Sequence, residues 1–254
     1  MILAVDVGNT NIVLGFLEGE KLINECRLST AADDSAEEYA IKLNSIFEIC
    51  KIDVNDIEGC VLSSVVPPLN RTISKALMII TGKRPIVVGP GVKTGLNIKI
   101  NNPAELGADM VVGAVAGIAK YPCPQIIFDL GTATTASVID SKGGFIGGAI
   151  LCGVKTALNA LASSTAQLPQ IEIIAPDSAI GANTIDSMRS GTVFGAAAMI
   201  DGLIKRFETE LGEKATVIIT GGLGGVIAQY CESDVIVDRN LLIDGLRLIY
   251  EKNK

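Results

Sequence analysis

The chain contains no histidine. Ser-His-Asp hydrolysis, Cys-His proteolysis and histidine-ligated zinc are thereby excluded, and any general base must be a carboxylate, a lysine, a tyrosine or a thiol. Tryptophan is absent as well, and aromatic residues amount to 4%, too few for the stacking platforms that hold single-stranded nucleic acid. There is no basic run, and the net charge is −7, so neither nucleic acid nor an anionic membrane surface is an expected partner. No uninterrupted apolar stretch reaches the ~18 residues of a membrane span. The start, MILAVDVGNT, carries no basic leader, and a secretory signal is not expected. The six cysteines, at 26, 50, 60, 123, 152 and 231, form no CxxC pair. They read as free thiols in a reducing compartment, ahead of disulfides or a zinc site. Together these absences predict a cytoplasmic protein.

What is present is a patterned α/β chain. With 254 residues, 48% of them hydrophobic, it can bury one large core or two smaller ones. Strands are predicted at 2–7, 11–17 and 21–30, a helix at 35–51 opened by a Ser35/Glu38 capping box, a strand at 59–67, a helix at 69–82 and a strand at 85–89. A loop rich in Gly, Asn and Pro follows at 89–103, then a helix over 104–121. The pattern then restarts, with strands at 125–130, 134–139 and 144–151 and a helix at 153–163. A long helix or helix pair follows at 183–211, then a strand, a helix, a strand and a terminal helix. This predicts a duplicated α/β architecture with halves at 1–103 and 104–254 and a cleft between the copies.

The duplication extends to chemistry. AVDVGNTNIVLGF at 4–16 places Asp6 at a strand end before Gly8, Asn9 and Thr10; IIFDLGTATTASVID at 126–140 repeats the order with Asp129, Gly131, Thr132 and Thr134. A glycine two residues after a strand-end aspartate lets the backbone approach an anion, and the following N–H groups and hydroxyls line the same concavity. Such a turn suits nucleotide phosphates, with the aspartate holding Mg²⁺ or a metal-bound water. One copy alone reads more readily as a plain β-hairpin; two copies in corresponding places favour the phosphate reading. A third glycine-rich site, VIITGGLGG at 217–225, suits close approach to an adenine or ribose.

Two phosphate turns followed by an adenosine site resemble the architecture shared by acetate kinases, sugar kinases, the Hsp70 ATPase domain and actin. That likeness implies duplicated ribonuclease H-like halves in an actin-like ATPase fold. DVGNTN at 6–11, NPAELGAD at 102–109, FDLGTATT at 128–135 and IGANTIDSMRSG at 180–191, with DGLRLIYE near residue 250, are similar to motifs of the type III pantothenate kinase family in family order. The resemblance implies ATP-dependent phosphorylation of pantothenate, the first step of coenzyme A synthesis. It assigns Asp109 as catalytic base. It assigns ATP contacts to Asp6, Val7, Gly8, Asn9, Thr10, Asn11, Ile12 and Val13, with a second phosphate contact at Thr132. Substrate contacts fall on Gly107, Ala108, Asp109, Met110 and Thr184, and a monovalent cation, potassium or ammonium, on Asp129. Asn183 or Thr184 could equally cap a helix.

Two positions depart from the family pattern. Met110 stands where the family has an arginine suited to an acidic substrate, and Ile100 where many members have a tyrosine. These departures keep open a non-catalytic nucleotide-binding regulator, or a kinase for a different small acceptor. The largely apolar helices at 106–119 and 191–204 lack a clear polar face, and the family resemblance implies a homodimer.

Overall fold

The computed structural model describes residues 1–254. The elements are β1 (Ile2–Val7), β2 (Asn11–Glu18), β3 (Lys21–Ser29), α1 (Ala36–Cys50), β4 (Gly59–Ser64), α2 (Pro67–Thr81), β5 (Ile86–Val87), β6 (Asn97–Ile98) and α3 (Ala108–Lys120). They continue with β7 (Gln125–Leu130), β8 (Ala133–Ile139), β9 (Gly144–Cys152), α4 (Val154–Ser164), α5 (Thr184–Leu211), β10 (Thr216–Thr220), α6 (Gly224–Ile227), β11 (Ile236–Val237) and α7 (Leu241–Asn253).

The first sheet has strand order β3-β2-β1-β4-β5 and the second β11-β10-β7-β8-β9-β6. The duplication is topological. β1 pairs antiparallel with β2 and parallel with β4, and β7 pairs antiparallel with β8 and parallel with β10. Strands β9-β8-β7-β10-β11 thus repeat β3-β2-β1-β4-β5.

Alternation along β1 drives Leu3, Val5 and Val7 into a core with Leu14 and Phe16 of β2, covered by α1 and α2 through Tyr39, Leu43, Leu69 and Ile73. Phe16 meets Phe47 edge-to-face, with ring centroids 5.2 Å apart, a favoured aromatic geometry. α7 packs on β1 and β4. Gly15 and Gly59 leave the room that the side chains of Ile243 and Tyr250 occupy. In the second sheet Ile126, Phe128 and Leu130 pack with Val193, Ala197, Ile200 and Ile204 of α5.

Packing groups residues 1–96, 102–116 and 241–254 into one compact unit, and 97–101 with 117–240 into the other. A single cut at 103/104 therefore does not follow the packing, because the start of α3 and all of α7 cluster with the first sheet. Other boundaries move for local reasons. α2 starts at Pro67 rather than residue 69, with proline in its first turn, where the missing N–H has no helical partner to lose. The helix predicted from 104 begins at Ala108, after a separate 3₁₀ turn at Pro103–Glu105. The stretch 89–103, expected to be all loop, supplies β6, which pairs parallel with β9.

Candidate active site

Asp6 occupies the next-to-last position of β1 on the face opposite Val5 and Val7. It is level with Val13 on one side and Ser63 on the other. The chain then turns through Gly8, Asn9 and Thr10, and the Gly8 N–H donates to the Asn11 carbonyl at 2.9 Å. A Cβ at Gly8 would lie 3.0 Å from that same oxygen. Thr30, just beyond β3, braces the turn: its N–H donates to the Thr10 carbonyl at 2.9 Å and its hydroxyl to the Gly8 carbonyl at 2.7 Å. The brace is itself anchored, since Tyr39 of α1 bonds both the N–H and the carbonyl of Ala31 at 2.9 Å.

The second copy uses the same parts. Asp129 is level with Thr135 and Thr220, and the Gly131 N–H donates to the Ala133 carbonyl at 3.1 Å. The Thr156 hydroxyl of α4 donates to the Thr132 carbonyl at 2.8 Å. Gly221, at the end of β10, adopts φ +87°; a Cβ there would collide with Asp129 Oδ1 and the Leu130 amide nitrogen. Gly221, within the stretch 217–225 expected to serve an adenosine, forms a wall against which the Asp129 carboxylate lies.

Each copy buries a hydroxyl that has no protein partner: Ser63 Oγ beside Asp6, and Thr134 Oγ1 on the strand leaving the second turn. A buried polar atom without a partner is costly, and water or a polar ligand at these turns would relieve it. No three Cys, Asp or Glu side chains gather in a metal-binding group. A magnesium ion held by one carboxylate, waters and nucleotide phosphates suits such a site. Gly221 closes one side of the Asp129 carboxylate.

Asp109 lies in the first turn of α3, where the Gly107 carbonyl accepts the Val111 N–H at 3.1 Å. Its Oδ1 accepts the Met110 N–H at 2.8 Å. A Cβ on Gly107 would fall 2.5 Å from that oxygen, so only glycine leaves this carboxylate in place. Burial pushes the Asp109 carboxyl above its ordinary value, and the backbone N–H bonds only partly oppose the shift. Ala108 and Met110 flank it, both half-buried.

Thr184 is the first residue of α5, and Asn183 is the cap: its side-chain oxygen accepts the Asp186 N–H at 2.9 Å. Capping by Asn183 leaves Thr184 exposed on a groove of about 810 Å³ lined by Val154, Leu158, Leu161, Met188 and Met199 of α4 and α5. Residues 6–13 and 107–110 belong to the first unit, and Asp129, Thr132 and Thr184 to the second. Thr30, Thr156, Ser63 and the Gly221 wall escaped sequence reasoning; only Gly221 carried a signal, as part of a glycine-rich strand end.

Solved structures share this fold. Component A of (R)-2-hydroxyglutaryl-CoA dehydratase from Acidaminococcus fermentans aligns with TM-score 0.58 and 12% identity over 100% of this chain and 99% of that one. Inorganic polyphosphate/ATP-glucomannokinase from Arthrobacter sp. strain KM aligns with TM-score 0.52 and 14% identity over 99% and 98%. The fold is the one shared by actin-like ATPases and sugar kinases. Within it, the type III pantothenate kinase family model matches residues 2–206. The type III pantothenate kinase of Exiguobacterium sp. strain AT1b is 48% identical over 254 residues, 100% of each chain. The chain belongs to the type III pantothenate kinase family.

Proposed function

We propose that this chain transfers the γ-phosphoryl group of ATP to the primary hydroxyl of pantothenate, opening coenzyme A synthesis. The observation that carries this reading is Asp109, a half-buried carboxylate at the start of α3 with a raised pKa, suited to take a proton in a chain without histidine. Residues 6–13 bind the ATP phosphates, Thr132 makes a second phosphate contact, and Asp6 would hold a divalent ion, directly or through water. When bound, magnesium neutralises charge on the phosphate oxygens. Asp109 accepts the hydroxyl proton as its oxygen attacks, and ADP leaves. Residues 107–110 and Thr184 contact pantothenate. Asp129 holds a monovalent cation, potassium or ammonium, a role that the Gly221 wall supports.

The apolar groove, with Leu161 exposed on it, supports a homodimer, as do Ile150, Ile180 and Ile185, exposed elsewhere on the second unit. No helix is long and apolar enough to cross a membrane, and we place the enzyme in the cytoplasm. Coupled ADP-release assays with and without pantothenate test the activity. Pantothenate-dependent release is expected. Release indifferent to pantothenate would point to another acceptor, and no release to a nucleotide-binding regulator, the reading that Met110 favours.

A further inference from the structure

Cys26 and Cys50 lie with their sulfurs 3.0 Å apart, 24 residues apart in sequence. Cys60 and Cys231 meet oxygen instead, at the Thr81 hydroxyl and the Ile227 carbonyl. A disulfide needs sulfurs about 2.05 Å apart, so the pair must close by only about 1 Å. Both ends can give. Cys26 sits on β3, the edge of its sheet with a neighbour on one side only, and Cys50 is the last residue of α1, directly before the left-handed Lys51. Both thiols are half-buried, within reach of a small reagent.

We propose that Cys26 and Cys50 are a modification site that forms a reversible disulfide by exchange with a low-molecular-weight disulfide. One protein thiolate attacks a sulfur of the reagent, breaking its S–S bond and releasing one thiolate. The second protein thiolate then attacks the mixed disulfide, forming the internal bond and releasing the other. Two protein thiols are oxidised, one reagent disulfide is reduced, and the two protons pass to the released thiolates. The bond ties the edge strand that leads to Thr30 onto the end of α1, and closing that loop restricts the unfolded chain. Burial and the adjacent Cys50 push the Cys26 thiol up to about 11. Exchange is therefore slow near neutrality and quickens as pH rises.

The test is to incubate the folded protein with glutathione disulfide, alkylate it, digest it without reduction and map the peptides. The expected result is a linked pair containing Cys26 and Cys50, reversed by dithiothreitol and formed faster at higher pH. The oxidised protein should melt several degrees higher than the reduced one, and Cys26→Ser should trap Cys50 as the glutathione mixed disulfide. Recovery of all six thiols alkylated, separate mixed disulfides on Cys26 and Cys50, or a link that forms only in denaturant would overturn the proposal.

Discussion

The two aspartate turns are built alike but braced differently. After Asp6 the chain spends Gly8, Asn9 and Thr10 before β2 begins; after Asp129 it spends only Gly131 and Thr132 before β8. In each copy a threonine beyond the third strand bonds a turn carbonyl. Thr30 follows β3 into an irregular segment pinned by Tyr39, whereas Thr156 stands on α4 itself. The neighbouring strand end differs too. The position after Ser63 in β4 is Ser64, whose hydroxyl accepts the Val66 N–H at 3.0 Å. The corresponding position after Thr220 is Gly221, pressed against Asp129. Duplication thus supplies two similar turns with different surroundings, and the proposed division of labour gives the Asp6 turn to nucleotide phosphates and Asp129 to a lone cation.

The largest expected effect separates the chemistry from both turns. Asp109→Asn should lower kcat by about a hundred- to ten-thousand-fold with the fold intact, and a variant within a few-fold of wild type would remove the base. Its pH behaviour has a definite sign. Burial raises the folded pKa of Asp109 above the unfolded value, so above that folded pKa the buried charge costs stability. This cost fades as pH falls through the folded value toward the unfolded one. Activity runs the other way: the acid limb of kcat/KM should lie above the ordinary aspartate range. Melting of Asp109→Asn at neutral pH should match or exceed wild type.

Next comes a graded glycine series across the two copies. Gly221→Ala combines positive φ with a collision against Asp129 and should cost on the order of 1–3 kcal/mol, along with the response to potassium. Gly8→Ala, whose Cβ would meet the Asn11 carbonyl at 3.0 Å, should cost less and raise KM for ATP. Gly131→Ala, at 3.4 Å from its nearest atom, should be the mildest. Thermal melts and ATP titrations of the three variants test this order, and a reversed order would break the proposed division of labour.

Met110→Arg should lower KM for pantothenate by about ten- to a hundred-fold if a charge-assisted bond worth roughly 1.5–3 kcal/mol is restored. A lower melting temperature with no gain in KM would sink that idea. Smallest are the braces. Thr30→Val and Thr156→Val each lose one bond, about 1 kcal/mol. Thr30→Val should be the gentler, because its N–H still holds Thr10; chemical denaturation with ATP kinetics compares them.

Repetition made the two sheets legible in sequence. The order strand, turn, strand, strand appears twice around Asp6 and Asp129, and alternation such as Leu3-Val5-Val7 fixes which face is buried. The Ser35/Glu38 box also folds as predicted. Residues whose role depends on distant partners were less visible. β6 is two residues, Asn97–Ile98, too short to show a period, and it exists only because β9 offers an edge. Thr30 and Thr156 are ordinary threonines until the fold sets a carbonyl before them. Asn183 and Thr184 were equal candidates for a cap, and the helix start decided for Asn183. Gly221 announced a close backbone approach, read as one to an adenine or ribose, whereas the neighbour the fold sets against it is the Asp129 carboxylate.

The packing of α7 has a consequence for the order of events during synthesis. The second unit is nearly continuous, residues 97–101 with 117–240, whereas the first needs residues 241–254 beside residues 1–96. Gly15 and Gly59 hold space for Ile243 and Tyr250, so the earliest strands to leave the ribosome keep one apolar face uncovered until nearly all of this chain has been made. A nascent chain stalled before residue 241 would carry a finished second unit and an open first sheet, the form most exposed to chaperones and to aggregation.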